Sequence, residues 1–105
     1  MKLPSEQEWG SPVEDEALNK LRQEIEEVDR QFVTLLARRQ KLVQKILQRK
    51  VKLKQPLRNL PLEQQVIDRF GTLCRDRGIE ASWGEDLARF LISKSLEVQN
   101  SILKQ

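Results

Sequence analysis

From Asp15 to Leu53 apolar side chains return every three or four residues: Leu18, Leu21, Ile25, Val28, Phe32, Leu35, then Leu42 and Ile46. Alternating steps of three and four hold a stripe on one side of an α-helix, so the spacing predicts a single helix of about forty residues. At 1.5 Å per residue it would be roughly 58 Å long, whereas a compact chain of this size has a radius of gyration of about 13 Å. One protomer has too little remaining chain to cover it. The expectation is an all-α fold in which the long helix finds a second chain, and a helical homodimer is the simplest arrangement.

The remaining chain divides around that helix. Residues 1–14, with Pro4, Gly10 and Pro12, read as a flexible N-terminal tail carrying Trp9, and residues 15–105 read as one helical domain. Pro56 and Pro61 bracket a loop, QPLRNLP, after which Asn59 or Leu60 caps a second helix with Pro61 in its first turn. Its inward face is expected to carry Leu62, Val66, Phe70 and Leu73. Gly78 reads as a left-handed stop. Ser82 to Glu85 match the S-x-x-E capping box, which opens a third helix with Leu87, Leu91 and Ile102 on its buried stripe. No strand alternation, repeat or low-complexity segment interrupts this three-helix pattern.

Charge and composition narrow the function. The net charge is only +3, but the ten residues Arg30, Arg38, Arg39, Lys41, Lys45, Arg49, Lys50, Lys52, Lys54 and Arg58 follow Asp29 with no acid before Glu63. Most such side chains simply solvate a helix face, yet a block of one sign also suits an anionic partner. Few aromatics interleave with it, which disfavours base stacking and nucleic acid. His is absent, removing the commonest general base near neutral pH and the commonest metal-binding side chain. Neither a metal nor a cofactor is expected. The single Cys74 forms no intrachain disulfide. Without a membrane-length apolar run or a signal-peptide core, the expected location is cytoplasmic.

Polar residues interrupt the apolar stripes at four places. Arg39 is four residues after Leu35 and three before Leu42, in the seam of the first helix, and Lys50 follows Ile46 in the same register. Eleven residues apart, these two point within about 20° of one direction and stand roughly 16 Å apart along the axis, a span that two long cations close around a small anion. Ser95 and Gln99, one turn apart, share a face with Ile92 and Ile102. Taken singly, a seam Arg or Lys is a register device or a snorkelling side chain. Together the four need partners, which they find in one another, in water or in a ligand.

The run LRQEIEEVDRQFVTLLARRQKLVQKILQRK resembles the long first helix of the all-α chorismate mutases, with Arg22, Asp29, Arg39 and Lys50 at the family's spacings. The resemblance continues through Pro56 and Glu63 and ends at the S-x-x-x-Q pair Ser95 and Gln99. It implies an intertwined homodimer of three-helix protomers acting on chorismate, a small dicarboxylate, and rearranging it to prephenate in the biosynthesis of Phe and Tyr. That [3,3] rearrangement needs no nucleophile, base or metal; it needs a folded substrate with positive charge and hydrogen bonds at the breaking ether oxygen. By resemblance, Lys50 and Gln99 address that oxygen, Arg39 and Arg22 grip the carboxylates, Glu63 accepts from the ring hydroxyl and Ser95 supports a carboxylate. Arg22 lies seventeen residues before Arg39, roughly 25 Å along one helix and about 100° around it, too far to reach the same small ligand from one chain; the resemblance implies that it comes from the partner chain.

The loop departs from the family motif D-x-x-R-E, reading Asn59, Leu60, Pro61, Leu62, Glu63. Asn59 replaces the Asp and is counted among the substrate contacts. Leu62 stands where the family has a substrate-facing Arg, and Arg58 is a candidate replacement. The departure keeps two alternatives open: a relative acting on a chorismate-like molecule, either an isochorismate pyruvate-lyase or an aminodeoxychorismate mutase, and a low-activity or non-catalytic helical dimer that binds an anionic partner.

Overall fold

The structure is a computed structural model that describes residues 15–103; the tail 1–14, with Trp9, lies outside the described residues. Three helices follow one another, α1 (Glu16–Lys52), α2 (Leu60–Arg75) and α3 (Ala81–Leu103), and no strand occurs among the described residues. The fold is all-α, as the periodicity predicts. The 37 residues of α1 pass through a division of the chain into two compact units, Met1–Arg39 and Gln40–Gln105.

In the first unit the described residues are helix. Asp15 starts it: its Oδ1 accepts from the Leu18 N–H at 3.1 Å and its carbonyl accepts from the Asn19 N–H, satisfying donors that a helix start otherwise leaves open. The apolar stripe lies uncovered. Leu21, Ile25, Val28, Phe32 and Leu35 are each more than half exposed, a contiguous apolar patch of the kind that marks an interaction surface.

The second unit holds the core. Leu47 from the end of α1, and Ala88 and Leu91 from α3, are buried to 3%, 0% and 5% exposure. Helices α2 and α3 form an antiparallel hairpin whose closest approach is set by small residues. A Cβ on Gly84 would collide with the backbone carbonyl of Phe70 and come within 2.8 Å of the Cys74 Sγ, while one on Gly71 would stand 3.2 Å from the Glu85 Cγ. This crossing corrects the expected face of α2. Leu62 and Leu73 are exposed, and the inward side runs through Val66, Ile67, Phe70, Gly71 and Cys74, because the helix rotates until its glycine meets α3.

Two helices end in the same hydrogen-bonded turn. After α2, Gly78 takes φ +78°, its N–H donates to the Arg75 carbonyl and the Ile79 N–H donates to the Cys74 carbonyl at 2.9 Å, the Schellman pattern expected at that glycine. After α1 the pattern recurs around Lys54, with φ 56°; Lys54 donates to Val51 and Gln55 donates to Lys50 at 2.9 Å. A side-chain-bearing residue in that conformation costs roughly 1 kcal/mol, and the two hydrogen bonds it completes turn the chain sharply into the loop before α2. The expected capping box at Ser82 does not form. The turn through Gly78 delivers the chain already aligned at Glu80, whose carbonyl accepts from the Trp83 N–H, so α3 starts at Ala81 and Ser82 lies exposed inside its first turn.

Gly84→Ala is expected to destabilise the fold by about 2 kcal/mol or more, since the added methyl must push α2 and α3 apart. Urea unfolding followed by circular dichroism checks this; a midpoint matching the wild type would show that the crossing has slack.

Candidate active site

The site is built where the end of α1, the loop 53–59, the start of α2 and the last turns of α3 meet. Asn59 is the N-cap of α2, with extended φ −135° and ψ 97°, and its Oδ1 accepts from the Leu62 N–H at 3.1 Å. Pro61 follows in the first turn, where its missing N–H leaves no bond unmade. Asn59 therefore spends its side-chain oxygen on holding the helix start, and its amide N–H groups remain for other partners.

The loop carbonyl of Leu57 is the focus of the arrangement. The Lys50 Nζ donates to it at 3.2 Å and the Gln99 Nε2 donates to it at 3.0 Å. Both side chains are half-buried, and they reach the same oxygen from opposite ends of this unit's sequence. An ammonium carries three N–H donors and a primary amide two, so each keeps donor capacity after serving Leu57. Ser95 lies half-buried one turn before Gln99 on α3.

On the other side of the loop, Arg58 and Glu63 form a two-pronged ion pair. The Arg58 Nε donates to Glu63 Oε2 at 3.0 Å and its Nη2 to Oε1 at 3.4 Å. The Arg58 side chain is 55% exposed and that of Glu63 20%. With so much of the Arg in water, the pair contributes at most about 1 kcal/mol to stability, and its larger effect is to fix the plane of the guanidinium. Lys50, Gln55, Pro56, Arg58, Asn59, Leu60 and Pro61 line an open cleft of about 420 Å³. That volume falls in the range of small-molecule sites, and its lining carries two cations and no acid.

Of the residues singled out in the sequence, Lys50 and Gln99 meet at one oxygen, and Asn59 and Glu63 stand at the start of α2 beside them. Arg22 and Arg39 belong to residues 15–39, Arg22 exposed and Arg39 half-buried. Sequence reasoning missed Leu57, because a backbone carbonyl leaves no trace in residue type. It also missed the Arg58–Glu63 fork, although an acid five residues after a loop Arg, across a cap, was visible. Among the described residues no group of three or more acidic or Cys side chains gathers to hold a metal ion, and no helix is long and apolar enough to cross a membrane.

Comparison with known proteins bears on this geometry. The family described as chorismate mutase type II matches residues 21–100. A bifunctional chorismate mutase/prephenate dehydratase of Buchnera aphidicola subsp. Schizaphis graminum is 30% identical over 84 residues, covering 80% of this chain and 22% of the relative. Its counterpart from Buchnera aphidicola subsp. Acyrthosiphon pisum is also 30% identical over 84 residues, with the same coverage. The chain thus spans about a fifth of the length of these bifunctional relatives. A chorismate mutase of Methanocaldococcus jannaschii is 26% identical over 90 residues, 86% of this chain and 91% of that protein. No solved structure matches at the same stringency.

Replacing Asn59 with Ala is expected to lower stability by about 1 kcal/mol through loss of the cap, whereas Asn59→Asp should hold near the wild type. Denaturant midpoints of the two variants decide it, and equal losses would mean that the Asn59 oxygen is not what holds α2.

Proposed function

The chain belongs to the chorismate mutase type II family, and from that membership we propose that it rearranges chorismate to prephenate, a step of Phe and Tyr biosynthesis. One observation carries the reading: the Lys50 ammonium and the Gln99 amide converge on a single oxygen, that of Leu57. In the proposed reaction the bond between the ether oxygen and the ring breaks as a new carbon–carbon bond forms within the same molecule. Electron density gathers on that oxygen in the transition state. Donors held in place beforehand stabilise it without having to reorganise. Lys50 supplies a full charge and Gln99 a neutral donor, and each retains an N–H beyond the one given to Leu57.

The substrate is a dianion, and its folded conformer is the reactive one. Holding both carboxylates brings the reacting carbons together and removes much of the entropic barrier. Arg39, and Arg22 of a second copy, are proposed as the carboxylate ligands, the fork of a guanidinium matching a carboxylate in a way that an ammonium does not. Glu63 is proposed to accept from the ring hydroxyl, since a carboxylate offers about four acceptor positions and Arg58 occupies only two. Ser95 and Asn59 complete the polar contacts. The uncovered stripe from Leu21 to Leu35 supports the second copy: a helix with a continuous apolar seam reaches its stable state by packing against another.

Purified protein mixed with chorismate should consume its ultraviolet absorbance and yield prephenate. Lys50→Ala should lower kcat/KM by about 10² to 10³ with helicity unchanged. A folded wild type that leaves chorismate untouched would sink the reading, and a Lys50→Ala enzyme of normal rate would remove Lys50 from the chemistry. Sedimentation analysis should find a dimer at micromolar concentration, with Phe32→Glu shifting it towards monomer and reducing turnover in parallel. A fully active monomer would contradict the shared site.

A further inference from the structure

We propose that Arg58 is a substrate-binding residue, presenting the Nη1–Nη2 edge of its guanidinium to a carboxylate of the substrate in the cleft while Glu63 holds the adjacent Nε–Nη2 edge. The inference rests on the reading of this cleft as a chorismate site. It starts from the donor inventory. A guanidinium has five N–H donors in a rigid plane; Glu63 takes one from Nε and one from Nη2. Both N–H groups of Nη1 and one of Nη2 remain, and they form the second flat face on which a carboxylate docks with two parallel bonds.

The pair differs from the other ion pairs among the described residues. Lys20–Glu16, Arg30–Glu27, Arg89–Asp86 and Lys94–Glu97 each join residues one turn apart on a single helix, with both partners well exposed. Arg58–Glu63 instead ties the loop to α2 and uses both carboxylate oxygens, and its acid is largely buried while its base faces outward. Such an arrangement clamps an arginine by its inner edge. Arg58 lines the cleft together with Lys50, and that lining includes no carboxylate to compete for the remaining N–H groups. The neighbouring Leu62 is exposed and apolar, so within the first turn of α2 it offers no charge to an anion, and Arg58 is the guanidinium that borders the cleft.

The test compares wild type with Arg58→Ala and Arg58→Lys under chorismate turnover, with thermal unfolding of each as a check on folding. Because the side chain is mostly exposed, both variants should unfold near the wild-type temperature. Arg58→Ala should lose roughly tenfold to a hundredfold in kcat/KM, carried mainly by KM, the loss expected for one charge-assisted hydrogen-bonding partner. Arg58→Lys should recover only a part, since it keeps the charge and loses the fork. Added guanidinium ion at millimolar concentration should restore activity to Arg58→Ala and leave the wild type unchanged. An active wild type with Arg58→Ala within twofold of it would overturn the role of Arg58 and leave the proposed function standing. A folded wild type without turnover would overturn both.

Discussion

The carbonyl of Leu57 holds the second unit's polar centre together. A loop of this length between two helices would ordinarily wander over the surface, with its backbone groups satisfied by water. Here one oxygen takes donors from the last turn of α1 and the last turns of α3. The two side chains thereby lose rotameric freedom before any ligand arrives. For the proposed rearrangement, which has no nucleophile or proton relay, that prior loss is the main thing a protein can contribute.

What lets the loop reach that place is the way the helices around it stop and start. The left-handed turn at Lys54 sends the chain away from α1, and the Asn59 cap begins α2 a few residues later. A longer exit would move Leu57 out of reach of Lys50. The glycine contact between α2 and α3 sets the other coordinate, because Gly84 against the Phe70 carbonyl determines how closely α3 lies to α2. Gln99 sits four turns farther along α3, and a wider crossing would carry it away from the loop. Packing of small residues in one place thus governs a hydrogen bond in another.

Much of this was legible in the sequence. The 3–4 rhythm from Leu18 to Ile46 announced α1, and the Asn59 and Pro61 pair marked the start of α2 to within a residue. Gly78 announced its stop, because each of these features is local and periodic. The misses share a different cause. Lys54 in the left-handed region was invisible, since only glycine and asparagine advertise that conformation. Gly84 was read as part of a capping box when it serves a backbone contact; on α2, Val66 and Phe70 lie inward as expected while Leu62 and Leu73 do not, because closest approach between helices is a tertiary property. Lys50 and Gln99 were singled out as polar breaks in apolar stripes, and their meeting point was not, because it is made by backbone.

The two units answer different physical demands. Residues 40–103 bury Leu47, Ala88 and Leu91 within one chain and place their own donors. Residues 15–39 present a stripe with Phe32 and Leu35 open to water, and burying such side chains stabilises by roughly 1.5 to 3 kcal/mol each. A helix that exposes this much apolar surface is poorly stable alone, since isolated helical segments gain little from propensity. In the proposed dimer its order and its function would depend on the same event, the arrival of a second copy. In the proposed enzyme that event also delivers Arg22, so a site lacking its partner chain would lack a carboxylate ligand at the moment when its long helix lacks a core. For that proposed dimer, folding of the first unit and completion of the site would be one equilibrium, governed by protein concentration.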